Sequence, residues 1–199
     1  MMASHIRAWI VSNWMYAGLV AALFLLAVAP LLAGAWSLAL LLVYLHGPAY
    51  MLHQVEEHAG DRFRRFVNLH VGHGRKALTT TAIVWINIPG VWGVNLATLY
   101  LARFVDVGLG LIAVYLMLVN ALTHIAAAAV LRIYNPGLAS AAVLFLPLSG
   151  LALWALARAP GVGALHHVIG LAIAVMIHAA IVVHVRGRAR STATPLAKA

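Results

Sequence analysis

Apolar and polar positions along the chain sort into six long apolar runs separated by short polar breaks, each near the roughly 20 residues a helix needs to cross a hydrocarbon core. The runs extend from about Trp9 or Trp14 to Leu32, Trp36 to Leu52, Thr81 to Leu101, Val107 to Leu131, Leu138 to Leu156 and Val162 to Val185. They predict an all-α fold, a polytopic transmembrane helical bundle of about six spans. Trp9, Trp14, Trp36, Trp154 and Tyr134 fall near run ends, as an interfacial aromatic belt requires. Residues 1–190 read as one transmembrane domain, and residues 191–199 as a flexible tail. Small residues at Ala33-Gly34-Ala35 also fit a signal-peptide ending, but the preceding apolar run is long for such a leader, so a retained first span is expected.

One substantial polar segment interrupts the pattern, residues 60–80. Phe63, Phe66, Val67 and Leu69 among Arg62, Arg64 and Arg65 predict an amphipathic helix lying on headgroups. His70 and His73 close it beside a Gly72-His73-Gly74 turn, at the water boundary rather than in a second metal site.

Composition agrees with a membrane class: 64% of the residues are hydrophobic and 9% charged, more apolar surface than a soluble domain of 199 residues can bury. The net charge of +9 comes from basic residues beside apolar runs, which argues for anionic headgroups and against nucleic acid. Eleven Lys and Arg fall on one side of the six runs, and only Arg103 and Arg158 on the other. The positive-inside rule then predicts cytoplasmic termini and a cytoplasmic 60–80 segment. With no cysteine, a metal would rest on His, Glu, Asp or Asn.

Candidate chemistry gathers at His53-Gln54-Val55-Glu56-Glu57-His58, which holds two of the four acidic residues. His53 with Glu56 is an i, i+3 pair and with Glu57 an i, i+4 pair, so both carboxylates flank that imidazole. His58 points about 140° away on an ideal helix and is assigned to the flank. Measured from the basic boundaries, His53, His124 and His178 lie at one depth, about two turns inside three different spans. Asn120 sits one turn deeper than His124, His46 two turns deeper than His53, and Asn87 is placed to join from the third span. His53, Glu57, His124 and His178 are the expected ligands of a divalent metal (zinc, iron or manganese), with Glu56 as general base. The bland alternatives are interhelical hydrogen bonding by the histidines and headgroup-level pairing of the acids with Arg62, Arg64 or Arg65. His166, His167 and His184 read as interfacial, and His5 as terminal.

His53-Gln54-Val55-Glu56-Glu57 resembles the signature of the HXXEE family of small bacterial integral membrane proteins. Asn120-Ala121-Leu122-Thr123-His124 is similar to that family's Asn-x-x-x-His element, and Tyr134-Asn135-Pro136-Gly137 to the Pro-Gly turn after it. The resemblance covers about residues 15–185 and implies a multi-span helical protein of the bacterial cytoplasmic membrane. Other signatures fail: the His-Glu-x-x-His helix is absent, as are paired desaturase His boxes. The Glu-Glu pair is only distantly similar to that of Glu-dependent intramembrane proteases, since four residues precede Arg62 where that pattern has three.

The expected function is a metal-dependent membrane enzyme, hydrolytic or oxidative, acting on a lipophilic substrate near the cytoplasmic face, with membrane lipids as partners. The rival readings are a cation or proton transporter using the same cluster, for which Gly47-Pro48 and Pro89-Gly90 offer helix breaks, and a structural or accessory membrane protein.

Overall fold

The computed structural model describes residues 2–191, with the side chains of residue 9 and of residues 11–191; the tail at 192–199 and the side chains of His5 and Arg7 lie outside the described residues. Every regular element among them is helical, and six helices are long and apolar enough to cross a membrane. The first helix is Met2–Ala33 and the second Leu38–His58, whose candidate span extends through short turns to Val71; the others occupy Thr80–Phe104, Val107–Leu131, Leu138–Leu156 and Ala164–Ser191. The ends of the third, fourth and fifth helices fall within about three residues of the expected ones, whereas the first helix starts earlier, at Met2, the second continues past Leu52 to His58, and the sixth runs on past Val185. Outward-facing side chains are apolar all round, with Phe24, Trp85, Val143 and Val183 all about 70% exposed or more. Such a surface needs lipid as its solvent.

Helix starts follow local chemistry. Ser37 accepts from the Leu40 N–H and Thr79 from the Ala82 N–H, supplying the side-chain oxygen that unpaired first-turn donors require. Pro48 breaks nothing: the second helix runs Leu38–His58 through it. Pro89 instead sits in a wide π turn, Ile86–Trp92, where the missing N–H is absorbed by a local change of hydrogen-bond register.

The helices pack mainly through the second and fourth. Leu42, Val43, Leu111, Val114 and Leu156 form one core among spans two, four and five. Tyr50, Leu116, Met117 and Phe145 form another around the candidate site. Gly170 lets the sixth span lie on the fourth, since a Cβ there would meet the Leu111 carbonyl oxygen at 2.8 Å. At the end of the bundle away from the site, His166 Nε2 lies 3.3 Å from Asp106 and His167 Nδ1 lies 2.8 Å from the Tyr115 hydroxyl. His184 is exposed on the sixth helix.

The 60–80 segment corrects one expectation. Positive φ at Gly60 and Asp61 turns the chain, and Arg62–Phe66 and Val67–Val71 follow as short helical turns. Phe63, Phe66 and Val67 pack with Trp14, Ile83 and Val185, so these three close over the bundle itself, while Leu69, 62% exposed, stays outside the cluster. Burial against three spans removes more apolar surface than contact along one face of a headgroup layer. The His70 ring lies 4.8 Å from the Phe66 ring and tilted to it, and His73 is exposed in its turn.

Candidate metal centre

On the second span Tyr50, His53 and Glu57 stand at i, i+3 and i+7 on one buried face. The Glu57 carboxylate lies among three imidazoles. Its Oε2 is 3.6 Å from His53 Nε2 and 3.1 Å from His58 Nε2, and its Oε1 is 3.7 Å from His124 Nε2. Distances of 3.6 and 3.7 Å exceed hydrogen-bond length. Ligands bound at about 2.0–2.2 Å to one tetrahedral ion lie about 3.3–3.6 Å apart. His53, Glu57 and His124 each offer a ligand atom, all within 4.8 Å of one another.

The hydrogen-bond network fixes which ring nitrogens carry protons. Asn135 Nδ2 donates to the His124 carbonyl at 2.8 Å, so its Oδ1 is the atom facing His124 Nδ1 at 2.6 Å. An amide oxygen only accepts, so Nδ1 carries the hydrogen, and in the neutral ring Nε2 keeps a lone pair. Ser140 Oγ donates to the Glu56 carboxylate and accepts from His53 Nδ1 at 2.7 Å, with the same result for His53, whose buried Nε2 has no partner. Two imidazole lone pairs and a carboxylate therefore converge. Without a cation or a proton between them these groups repel.

The turn between the fourth and fifth spans holds this arrangement. Gly137 has φ 99°, and a Cβ there would lie 2.7 Å from His124 Cε1 and 2.8 Å from His53 Cε1. No other residue fits both the backbone and the gap. Glu56 accepts from Gly137 N at 3.2 Å, Ala139 N at 3.1 Å, Ser140 N at 2.8 Å, the Ser140 hydroxyl and the Tyr134 hydroxyl. Burial, then the neighbouring carboxylate, raises the Tyr134 hydroxyl above its usual range and keeps it a donor. A carboxylate held by five donors is stabilised as an anion at a helix start, which opposes the general-base role expected of Glu56. The headgroup pairing with arginines is not observed either: Arg64 pairs with Asp61, while Arg62 and Arg65 donate to carbonyls of Ala59 and Gly60.

His58, expected on the flank, belongs to the cluster. Trp92 Nε1, a donor only, points to Gln54 Oε1 at 2.6 Å, which turns Gln54 Nε2 to Asn87 Oδ1 at 2.8 Å. Asn87 Nδ2 then donates to the Ile83 carbonyl at 2.9 Å and faces His58 Nε2 at 3.3 Å. Trp14 and Phe63 pack on the His58 ring at 5.2 and 5.6 Å. Sequence reasoning missed Gln54, Ser140 and Trp92; the one Gln of the sequence, placed between His53 and the glutamates, was the available signal.

His178 is not part of the close group. Its Nδ1 donates to the Ala174 carbonyl at 2.8 Å, leaving Nε2 as acceptor on a residue that lines a cavity of about 370 Å³. Glu57, His58, His124 and Asn120 line the same cavity, with Phe66, Val71, Ile181 and Val185 as apolar wall. His46 stays apart, its Nδ1 donating to the Leu42 carbonyl at 2.7 Å and its Nε2 without a partner.

A family model described as a protein of unknown function with HXXEE motif matches residues 44–152. The chain belongs to the HXXEE family. The matched HXXEE region contains His53, Glu56, Glu57, His124 and the whole 134–140 turn, so the motif's histidine and second glutamate are two of the three convergent groups. No curated protein and no solved structure matches the chain.

Proposed function

We propose that this HXXEE protein is a metal-dependent enzyme of the bacterial cytoplasmic membrane, acting on a lipophilic substrate in the cavity beside His53, Glu57 and His124. In this reading both termini and the 60–80 segment face the cytoplasm, residues 1–190 form one domain, and lipids rather than nucleic acid are the partners. The observation that carries it is the pair of imidazoles whose Nδ1 atoms are committed as donors while both Nε2 lone pairs meet one buried carboxylate. Two His and one carboxylate suit zinc, iron or manganese and leave coordination positions open. A divalent ion held there supplies Lewis acidity, polarising a substrate oxygen or making a water more acidic. The chain's own groups divide the work. Asn135 and Ser140 hold the two rings in register, Glu56 clamps the turn that carries those residues, and the apolar walls exclude bulk water and take the lipophilic part of the substrate. His178 supplies an acceptor on the cavity wall, outside the ligand set.

Metal analysis of the protein purified in detergent tests this. About one equivalent of a divalent metal is expected, and Glu57→Ala and His124→Ala each lose it. A metal-free wild type, reconstituted with none of zinc, iron or manganese, sinks the reading. Cation or proton flux into liposomes that depends on Glu57 would transfer the cluster to transport.

A further inference from the structure

The cavity beside the centre has one arginine and no lysine in its lining, and that arginine stands at the opening. His178, Ile181, Val182, Val185 and Arg186 line it from one face of the sixth helix, at i, i+3, i+4, i+7 and i+8. Eight residues of helix carry that face about 12 Å, from His178 to Arg186. Among the lining residues the exposed ones are Val182 at 47%, Val71 at 42%, Thr123 and Arg186, so the cavity opens between the sixth helix, the fourth and the 60–80 segment. All four acidic side chains of the protein are engaged elsewhere: Glu56 by the 134–140 turn, Glu57 among the imidazoles, Asp61 with Arg64 and Asp106 with His166. Arg75 Nη1 donates to the Ala189 carbonyl at 3.3 Å, three residues beyond Arg186, and brings a second guanidinium to the same end of the helix. The mouth is therefore cationic, with no side-chain carboxylate of the chain to offset it, and it leads into apolar walls.

We propose that the cavity takes a single-chain lipid with an anionic head, the head paired with Arg186 at the mouth and the chain lying along Ile181 and Val185 past Glu57 and His124. Hydration sets that direction. At the exposed end a carboxylate or phosphate keeps its water and meets a guanidinium that matches it in bidentate fashion, whereas at the inner end it would be desolvated beside the Glu57 carboxylate. The volume of about 370 Å³ corresponds to about a dozen groups of roughly 30 Å³ each, enough for one hydrocarbon chain and too little for two of membrane length. Val71 and Val182 keep the rim apolar, which suits sideways entry from the bilayer. The assignment names a substrate class for the enzyme proposed above and rests on that reading for any reaction, though not for binding.

The test is equilibrium binding of four radiolabelled probes that share one chain, dodecanoate, dodecyl phosphate, dodecanol and dodecylammonium, to the full chain in phosphatidylcholine nanodiscs, with protein-free discs subtracted. The pH is held at about 8.5, well above the range of a carboxylic acid. Both anions bind about tenfold or more tighter than dodecanol or dodecylammonium, with or without chelator, and the tighter of the two names the head. In Arg186→Gln that preference falls below about threefold while dodecanol binds as before. Arg186→Lys restores most of it, and Arg190→Gln, outside the cavity, keeps it. Equal binding of the anions and dodecanol by the wild type overturns the proposal, as does an anion preference that survives Arg186→Gln; if chelator then abolishes that preference, the head sits on the metal instead. A preference lost equally in Arg190→Gln also overturns it, reducing it to the surface charge of the helix. Two-chain phosphatidate binding as tightly as dodecyl phosphate overturns the single-chain assignment. Metal is measured on the same samples: a metal-free wild type that prefers the anions defeats the enzyme reading and leaves this one standing, and a metal-loaded wild type without the preference does the reverse.

Discussion

Two adjacent glutamates carry opposite duties, and what separates them lies about 80 residues away in sequence. Glu56 faces the 134–140 turn and Glu57 faces the imidazoles. Helical spacing brings both to His53 and cannot divide them, which is why His53, Glu57 and His124 were legible as a group from spacing and depth while the donors that hold Glu56 were not. His58 was missed because an ideal helix turns it away; the helix ends there, with φ −109° and ψ −14°, and the ring swings back to Glu57. Glu56→Gln is expected to keep near-stoichiometric metal while lowering the thermal midpoint, whereas Glu57→Gln loses the metal; equal metal content in the two variants would contradict the division. Asn135→Ala frees the His124 ring and should weaken metal binding roughly 10–100-fold, read by competition with a chromophoric chelator. Gly137→Ala places a methyl against both rings on a left-handed backbone, and destabilisation above about 2 kcal/mol is expected in detergent denaturation.

At the scale of elements, hydropathy located all six helices because each is long, apolar and bounded by polar breaks. It was silent on their interiors. In an α-helix, residues five apart stand about 140° apart. The i→i+5 turn at Ile86–Trp92 brings Asn87 and Trp92 to one side, where both meet Gln54. Nothing in an apolar pattern signals such a turn except Pro89, which reads equally well as a break. Trp92→Phe removes the donor to Gln54 and should cost about 1–3 kcal/mol, measured as a lowered midpoint of thermal unfolding. An unchanged midpoint would mean that the Gln54 relay is not structural.

For the whole molecule, the sequence carries orientation more openly than packing. Basic residues are few and lopsided, whereas lipid-facing and buried faces are equally apolar, so which helices touch was readable only where polar residues share a depth. The absence of cysteine gives a clean assay. His73→Cys and Val105→Cys, both at exposed positions on opposite sides of the third span, should react differently with an impermeant maleimide on intact cells. Labelling at 105 and protection at 73 are expected; the reverse would invert the topology.

The clamp on Glu56 also sets a schedule for biogenesis. Ser140 follows Glu56 by 84 residues, an interval of about 4–17 s at ordinary synthesis rates of roughly 5–20 residues per second. Until the 134–140 turn at the start of the fifth span emerges, the nascent second span carries Glu56 with none of its five donors, and Glu57 has only the imidazoles of its own segment until His124 arrives. During that interval they must stay near water or take protons. The centre is therefore a late product of assembly, completed only when the hairpin of spans four and five folds back onto a helix already waiting in the bilayer.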